Sequence, residues 1–184
     1  MLRKENGIIY KEGAYGVLLT PGHEAVMLLG LPSEDAAKSE RLPQVSSRSE
    51  WVQLQPGEMY SGFGGATEEA VDGVIEPEKK YTDTLMREGW EEFWLPLQPW
   101  QITNGLPLLQ IQQLRGQKQV DFSAHGHSVV LHAQQQEFLA QNFPHIIVQL
   151  FALADFLHTE GQQIVRPFMW VALQKSLKEG LLTR

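Results

Sequence analysis

The stretch from about Lys79 to Trp94 constrains this chain more than any other, because it reads as one amphipathic helix with a marked end. Pro96 and Pro99 stop it, since proline inside a helix removes a hydrogen-bond donor and clashes with the preceding turn. Residues three and four apart share a face, so Glu88, Glu91 and Glu92 project together, while Leu85, Met86, Gly89, Trp90 and Phe93 form the opposing arc. Such a helix suits a single mixed domain, residues 1–184, in which a sheet and several helices share one core. No internal repeat or second composition regime divides the chain.

The remaining pattern supplies the sheet. Ala14 to Leu19 and Ala25 to Leu29 are apolar runs separated by Thr20-Pro21-Gly22-His23-Glu24, whose Pro-Gly pair predicts an antiparallel hairpin. Leu106 to Leu114 and His127 to His132 read as further strands, and Ile164 to Leu173 as a last one interrupted by Pro167. Gln134 to Asn142 reads as helix, as does His145 to Thr159, where Ile147, Leu150, Phe151, Ala154 and Leu157 recur at helical spacing behind Pro144. Leu31 to Ser61 is long and polar, rich in Ser, Glu, Pro and Gln, and is expected to be a mobile loop that orders over substrate.

Composition narrows the chemistry. With no cysteine there is no disulfide framework and no thiolate metal site, so a metal must take oxygen or imidazole ligands and a reducing compartment is the natural setting. A formal net charge of −7 argues against duplex nucleic acid or an anionic membrane as partner, and a polyanionic substrate would need cations. No stretch approaches the roughly 20 apolar residues that span a bilayer, and the first ten residues hold no signal-like apolar run, so a cytoplasmic protein is expected.

Three carboxylates at neighbour spacings of roughly 5 to 6 Å repel by about 3 kcal/mol per ionised pair at an effective dielectric near 20, and by a few tenths in open water. Either that face is well solvated or a cation occupies it. Acidic outer faces are common on helices, and what sets this one apart is Gly64-Gly65 upstream, expected as a turn whose backbone carbonyls approach the carboxylates closely. The two together offer the hard oxygen donors that Mg²⁺ prefers.

These residues resemble the box of the Nudix hydrolase superfamily, which reads Gly, five residues, Glu, seven residues, then Arg-Glu-U-x-Glu-Glu-x-Gly-U, where U is a bulky aliphatic. Gly65 matches the box glycine, and Arg87, Glu88, Glu91 and Glu92 match its core in order and spacing. The strand-like segments at 15–19 and 26–30 and the lead-in Gly62-Phe63-Gly64-Gly65 are similar to those before the box, so the likeness spans roughly residues 7 to 95. The chain departs in three places: the Gly65-to-Arg87 interval is eight residues longer than the pattern, Gly89 replaces a bulky aliphatic, and Trp94 replaces the terminal glycine. The first box glutamate has no certain counterpart, although Glu76 and Glu78 lie near the helix start.

The resemblance implies an α/β fold, a Nudix-like α/β/α sandwich with a mixed sheet, in which the helical segments near residues 134–159 are an insertion. It implies Mg²⁺, or Mn²⁺, bound by Gly65, Glu88, Glu91 and Glu92, with a metal-activated water attacking the diphosphate of a small nucleoside diphosphate derivative. Arg87 would orient the acidic cluster, and Glu91 and Glu92 are the general-base candidates. A further acidic ligand from near the final strands is expected at Glu160, with Glu137 as the alternative, and family members are often homodimers. The competing reading is a catalytically inactive Nudix-like module for nucleotide binding or protein interaction. A third reading makes the helix scaffold, its acidic face taking a basic protein partner.

Other residues carry weaker signals. His125-Gly126-His127 puts two imidazoles on one strand face, but no third ligand stands at a zinc spacing, and a surface or substrate-contact role is expected. Ser123 and Ser128 lack a nucleophile elbow and Asp121 completes no triad. Lys38, Arg41 and Arg48 in the long loop are solubilising charges or phosphate contacts, and Trp51 and Tyr60 are loop anchors or base-stacking rings.

Overall fold

The computed structural model describes residues 2–5, 8–30, 60–103, 106–115, 118–142 and 148–153, together with Gln174 and Lys178. Its spine is β2 (Ile8–Leu19), which follows β1 (Leu2–Glu5) and turns through Pro21–His23 into β3 (Ala25–Gly30). Then come β4 (Tyr60–Ser61), β5 (Phe63–Ala66), helix α1 (Lys80–Phe93), β6 (Leu106–Arg115), β7 (Lys118–Val130), helix α2 (Ala133–Asn142) and β8 (Val148–Ala152).

One edge of β2 pairs in parallel with β7 from Ile8↔Gln119 to Leu19↔Val130. Its other edge is shared in turn by β1, β5 and β3, all antiparallel. The result is a mixed sheet in an α/β fold. The apolar end of β2 is buried because strands flank both edges and side chains cover both faces: Leu18 belongs to the helix-bearing core, and Val17 and Leu19 on the opposite face are buried too. The core joins Ala14, Leu18, Met27, Phe63 and Val129 of the sheet to Leu85 and Phe93 of α1 and Leu139 of α2. Phe63 meets Phe93 edge to face at 6.3 Å, which pins the far end of α1 to β5.

The expected hairpin forms, with Leu18↔Met27 and Leu19↔Val26 as partners. The expected helix over His145 to Thr159 does not hold at 148–152, where the chain is strand β8 paired antiparallel with β3 from Leu29↔Val148 to Ala25↔Ala152. A short apolar run fits helix and strand alike by spacing, and the open hydrogen-bonding edge of β3 decides between them. Leu150, placed on a buried helical face by the spacing, is exposed on that strand. Between 134 and 152, helix is therefore confined to α2 among the described residues. The strand expected at 127–132 begins earlier, at Lys118, and ends at Val130. Tyr60 and Ser61 pair with Gly30 and Leu29 instead of belonging to a loop. The rest of that loop, with Lys38, Arg41, Arg48 and Trp51, lies outside the described residues, as do the strand expected at 164–173 and Glu160.

Candidate functional site

Gly64 and Gly65 are not a turn. They sit in β5, paired with Tyr15 and Ala14, and α1 packs across that strand. From α1, Arg87 reaches into a nest of acceptors. Its Nε lies 3.2 Å from Asp72 Oδ1, and its Nη2 lies 3.1 Å from Asp72 Oδ2, 2.8 Å from the Ala66 carbonyl and 2.9 Å from Glu88 Oε1. Its Nη1 lies 2.8 Å from Glu91 Oε2 and 3.7 Å from Glu68. A planar fork with five N–H groups can serve such a set, where a lysine could not. Burial works against the charge of Arg87, yet the hydrogen bond to Asp72 and the charge of Glu88 outweigh it and raise the pKa further.

Asp72 is the residue that sequence reasoning missed. Its side chain is 2% exposed, and besides Arg87 it accepts hydrogen bonds from the Glu68 amide at 2.8 Å and the Thr84 hydroxyl at 3.0 Å. Glu76, considered for the first box position, pairs with Lys79 instead. A signal existed: Asp72 stands one place beyond position 71, where the box pattern puts its first glutamate, followed by a turn-forming Gly73. Most of the extra residues in this interval therefore lie between Asp72 and the helix.

Glu88 rests on Gly65. A Cβ at position 65 would collide with the Glu88 carboxylate, so only glycine leaves that carboxylate its place against the strand backbone. Burial raises the pKa of Glu88, and the neighbouring charge of Arg87 opposes the rise. Glu88 is thus largely withdrawn from solvent, whereas Glu91, 55% exposed at its side chain, and Glu92 remain on the surface. Trp90, expected in the apolar arc, is exposed, and Leu85, Gly89 and Phe93 are the buried residues there.

A cation would have to draw these carboxylates from Arg87. Among the described residues no three His, Asp or Glu side chains already stand together as a metal-ligand set, although Gly65, Glu88, Glu91 and Glu92 supply only oxygen donors, the type a hard divalent ion takes. Glu137 lies on the exposed side of α2 and accepts a hydrogen bond from Gln141 at 2.9 Å.

Both remaining departures from the box have local compensation. Leu97, from the chain beyond α1, fills the space over Gly89: a Cβ there would lie 2.9 Å from Leu97 Cδ1. Trp94 takes the left-handed conformation, φ 52° and ψ 32°, in which a helix-ending glycine is at ease. Its N–H reaches the Trp90 carbonyl at 2.8 Å and that of Leu95 reaches Gly89 at 3.0 Å, closing the helix.

Among solved structures the chain is similar to the Nudix hydrolase RenU from M. smegmatis, at 15% identity over 98% of this chain and 94% of that one, with a TM-score of 0.48. It is similar to a mutT/nudix family protein from Listeria innocua, at 14% identity over 98% and 100%, TM-score 0.48. A MutT protein from Methanosarcina mazei Go1 aligns at 15% identity over 98% and 99%, TM-score 0.43. No protein-family model and no curated protein matches the chain. Among the described residues, no helix is long and apolar enough to cross a membrane. What this chain does has to be read from its own residues.

Proposed function

We propose that this chain is a Nudix-type hydrolase that uses Mg²⁺ or Mn²⁺ to cleave the diphosphate of a nucleoside diphosphate linked to another moiety. The observation that carries the reading is the seat of Glu88 on Gly65, with Arg87 tying the same helix turn to Asp72 and to the Ala66 carbonyl. Glu88, Glu91, Glu92 and the Gly65 carbonyl are the donors that would hold the ion, with Glu160 as the proposed distal ligand. When bound, the ion supplies charge neutralisation for the polyanion and lowers the pKa of a water.

The chain's own residues do the rest. Arg87 holds Glu88 and Glu91 in register with the strand, so that ligand geometry is set before substrate arrives. Either Glu91 or Glu92 accepts the proton of the attacking water on a carboxylate oxygen, both being exposed on the same helix face. With a net charge of −7, the protein recruits an anionic substrate only together with cations.

One observation favours a second reading, a nucleotide-binding module without turnover: Arg87 already neutralises Glu88 and Glu91. Turnover of a panel of nucleoside diphosphate derivatives separates the two. Glu91→Gln and Glu92→Gln should together lower hydrolysis roughly 100-fold or more with the circular dichroism spectrum unchanged. Full activity of that double variant, or in excess EDTA, refutes the metal-dependent chemistry assigned to this helix face. Tight Mn²⁺ binding without turnover on any diphosphate selects the binding module.

A further inference from the structure

Beneath the first turns of α1 lies a second group of titratable side chains that the proposed chemistry does not use. Tyr81 stacks on the His125 ring, centroids 3.8 Å apart and 16° from parallel, and His127 lies 6.4 Å from Tyr81. His127 is 3% exposed, which overturns the surface role expected of it. Its Nδ1 is 2.8 Å from the Thr103 carbonyl, so Nδ1 carries the proton and donates it. Nε2 is then a bare lone pair, buried and without a hydrogen-bond partner among the described residues.

A proton added at Nε2 would create a buried cation with no acceptor. Among the described residues, the charged, titratable and hydrogen-bonding groups beside the two imidazoles are Glu12 of β2, Lys80 and Tyr81 of α1, and the Thr103 carbonyl. Strand β6 lies alongside through Leu106, Pro107 and Leu109, none of which titrates. Glu12, the one anion in the set, is held by Lys80 at 2.6 Å, and Lys80 in turn lies 4.8 Å from the Tyr81 ring centre. An imidazolium at His125 would compete with Lys80 for that carboxylate and add a second cation beside it.

We propose that His125 and His127 form a proton-sensitive seat for α1: neutral rings hold Tyr81 and the first turns of the helix on the sheet, and protonation releases them. Arg87 and its acceptors keep the later turns in place, so the release is a local opening of the first turns. Burial lowers the pKa of both histidines: at His125 the Glu12 charge opposes this and the Lys80 charge adds to it, and at His127 the hydrogen bond to Thr103 opposes it and the His125 charge adds to it. The sign follows. The opened form binds protons more readily, so the seated state is fully favoured above the ordinary histidine pKa of about 6.5 and loses ground as pH falls below it toward the lowered values. Within that window each histidine contributes at most about a tenfold change in the opening equilibrium per pH unit.

Amide exchange across residues 81–85, corrected for intrinsic rates and read from about pH 7.5 to pH 5, tests this without substrate or metal, so its outcome is independent of the hydrolase reading. Protection in the native chain should fall by about threefold or more in all between about pH 6.5 and pH 5. In the variant His125→Phe with His127→Asn, which keeps a ring under Tyr81 and a donor to Thr103, protection should be nearly flat. Flat protection in the native chain, or the same slope in the variant, overturns the proposal. Should the variant not fold, the imidazole proton resonances of the native chain decide: both must titrate below about 6.5, and either one titrating at or above that value overturns it.

Discussion

Helix α1 is held to the sheet by two different kinds of chemistry along its length. In its second half Arg87 gathers Asp72, the Ala66 carbonyl, Glu88 and Glu91 around one guanidinium. In its first half Tyr81 lies flat on the His125 imidazole, with a buried His127 nitrogen below that has no hydrogen-bond partner among the described residues. The later turns depend on charge: one guanidinium gathers Asp72, Glu88 and Glu91 against the burial that raises the pKa of Glu88. The ring contact of the first turns depends on imidazoles that burial favours in the uncharged form, beside the Lys80–Glu12 ion pair. One helix thus joins an anchor built on charge to the proton-sensitive seat proposed for its first turns.

The sharpest way to break the comparison is to remove the charged anchor. Arg87→Met should leave the buried Asp72 carboxylate without its countercharge and cost about 3 to 5 kcal/mol, read as a fall in the urea midpoint. Arg87→Lys should recover only a minor part of that, because a point charge cannot replace the fork. A loss under about 1 kcal/mol for Arg87→Met would mean that α1 depends chiefly on its apolar face, with Arg87 no more than a surface partner of Glu91.

A smaller effect, of about 1 to 2 kcal/mol, is expected from Gly65→Ala, since its new Cβ meets the Glu88 carboxylate at the far end of a side chain that Arg87 restrains. The cost should shrink when Glu88→Ala is added, and a double-mutant cycle measures that coupling. Additive costs would show that the glycine is required by the strand and not by Glu88.

The smallest expected change is a gain. Trp94→Gly relieves a left-handed backbone at a non-glycine residue and should stabilise the protein by about 1 kcal/mol. Amide protection should rise in the last turn of α1 and stay unchanged around Tyr81. A destabilised Trp94→Gly would show that the indole supplies packing worth more than the backbone strain.

Much of this site was legible in the chain alone. The helix bounds and the common face of Glu88, Glu91 and Glu92 followed from spacing and from proline punctuation, because these are local properties of three to four residues, whereas Gly65 was singled out by its likeness to the box glycine, with a turn expected where a strand stands. The hairpin of β2 and β3 was legible for the same reason. Where spacing alone was used over a short apolar run, at 148–152, it chose helix, and pairing with β3 overruled it.

Three things were decided only by tertiary structure. Asp72 became the partner of Arg87 because the lengthened interval folds back over the helix, and no local rule says which of several acids will be buried there. Leu97 could stand in for the side chain missing at Gly89 because the chain beyond Pro96 returns across the helix, and shape matching of that sort has no one-dimensional signature. His127 was sealed from water with one nitrogen satisfied by Thr103, a residue 24 positions away in sequence. The sequence by itself determined which groups lie on which face of each element. Only packing decided which of them lose their water, and desolvation is what turns a glutamate, an arginine or a histidine from a surface charge into a working part.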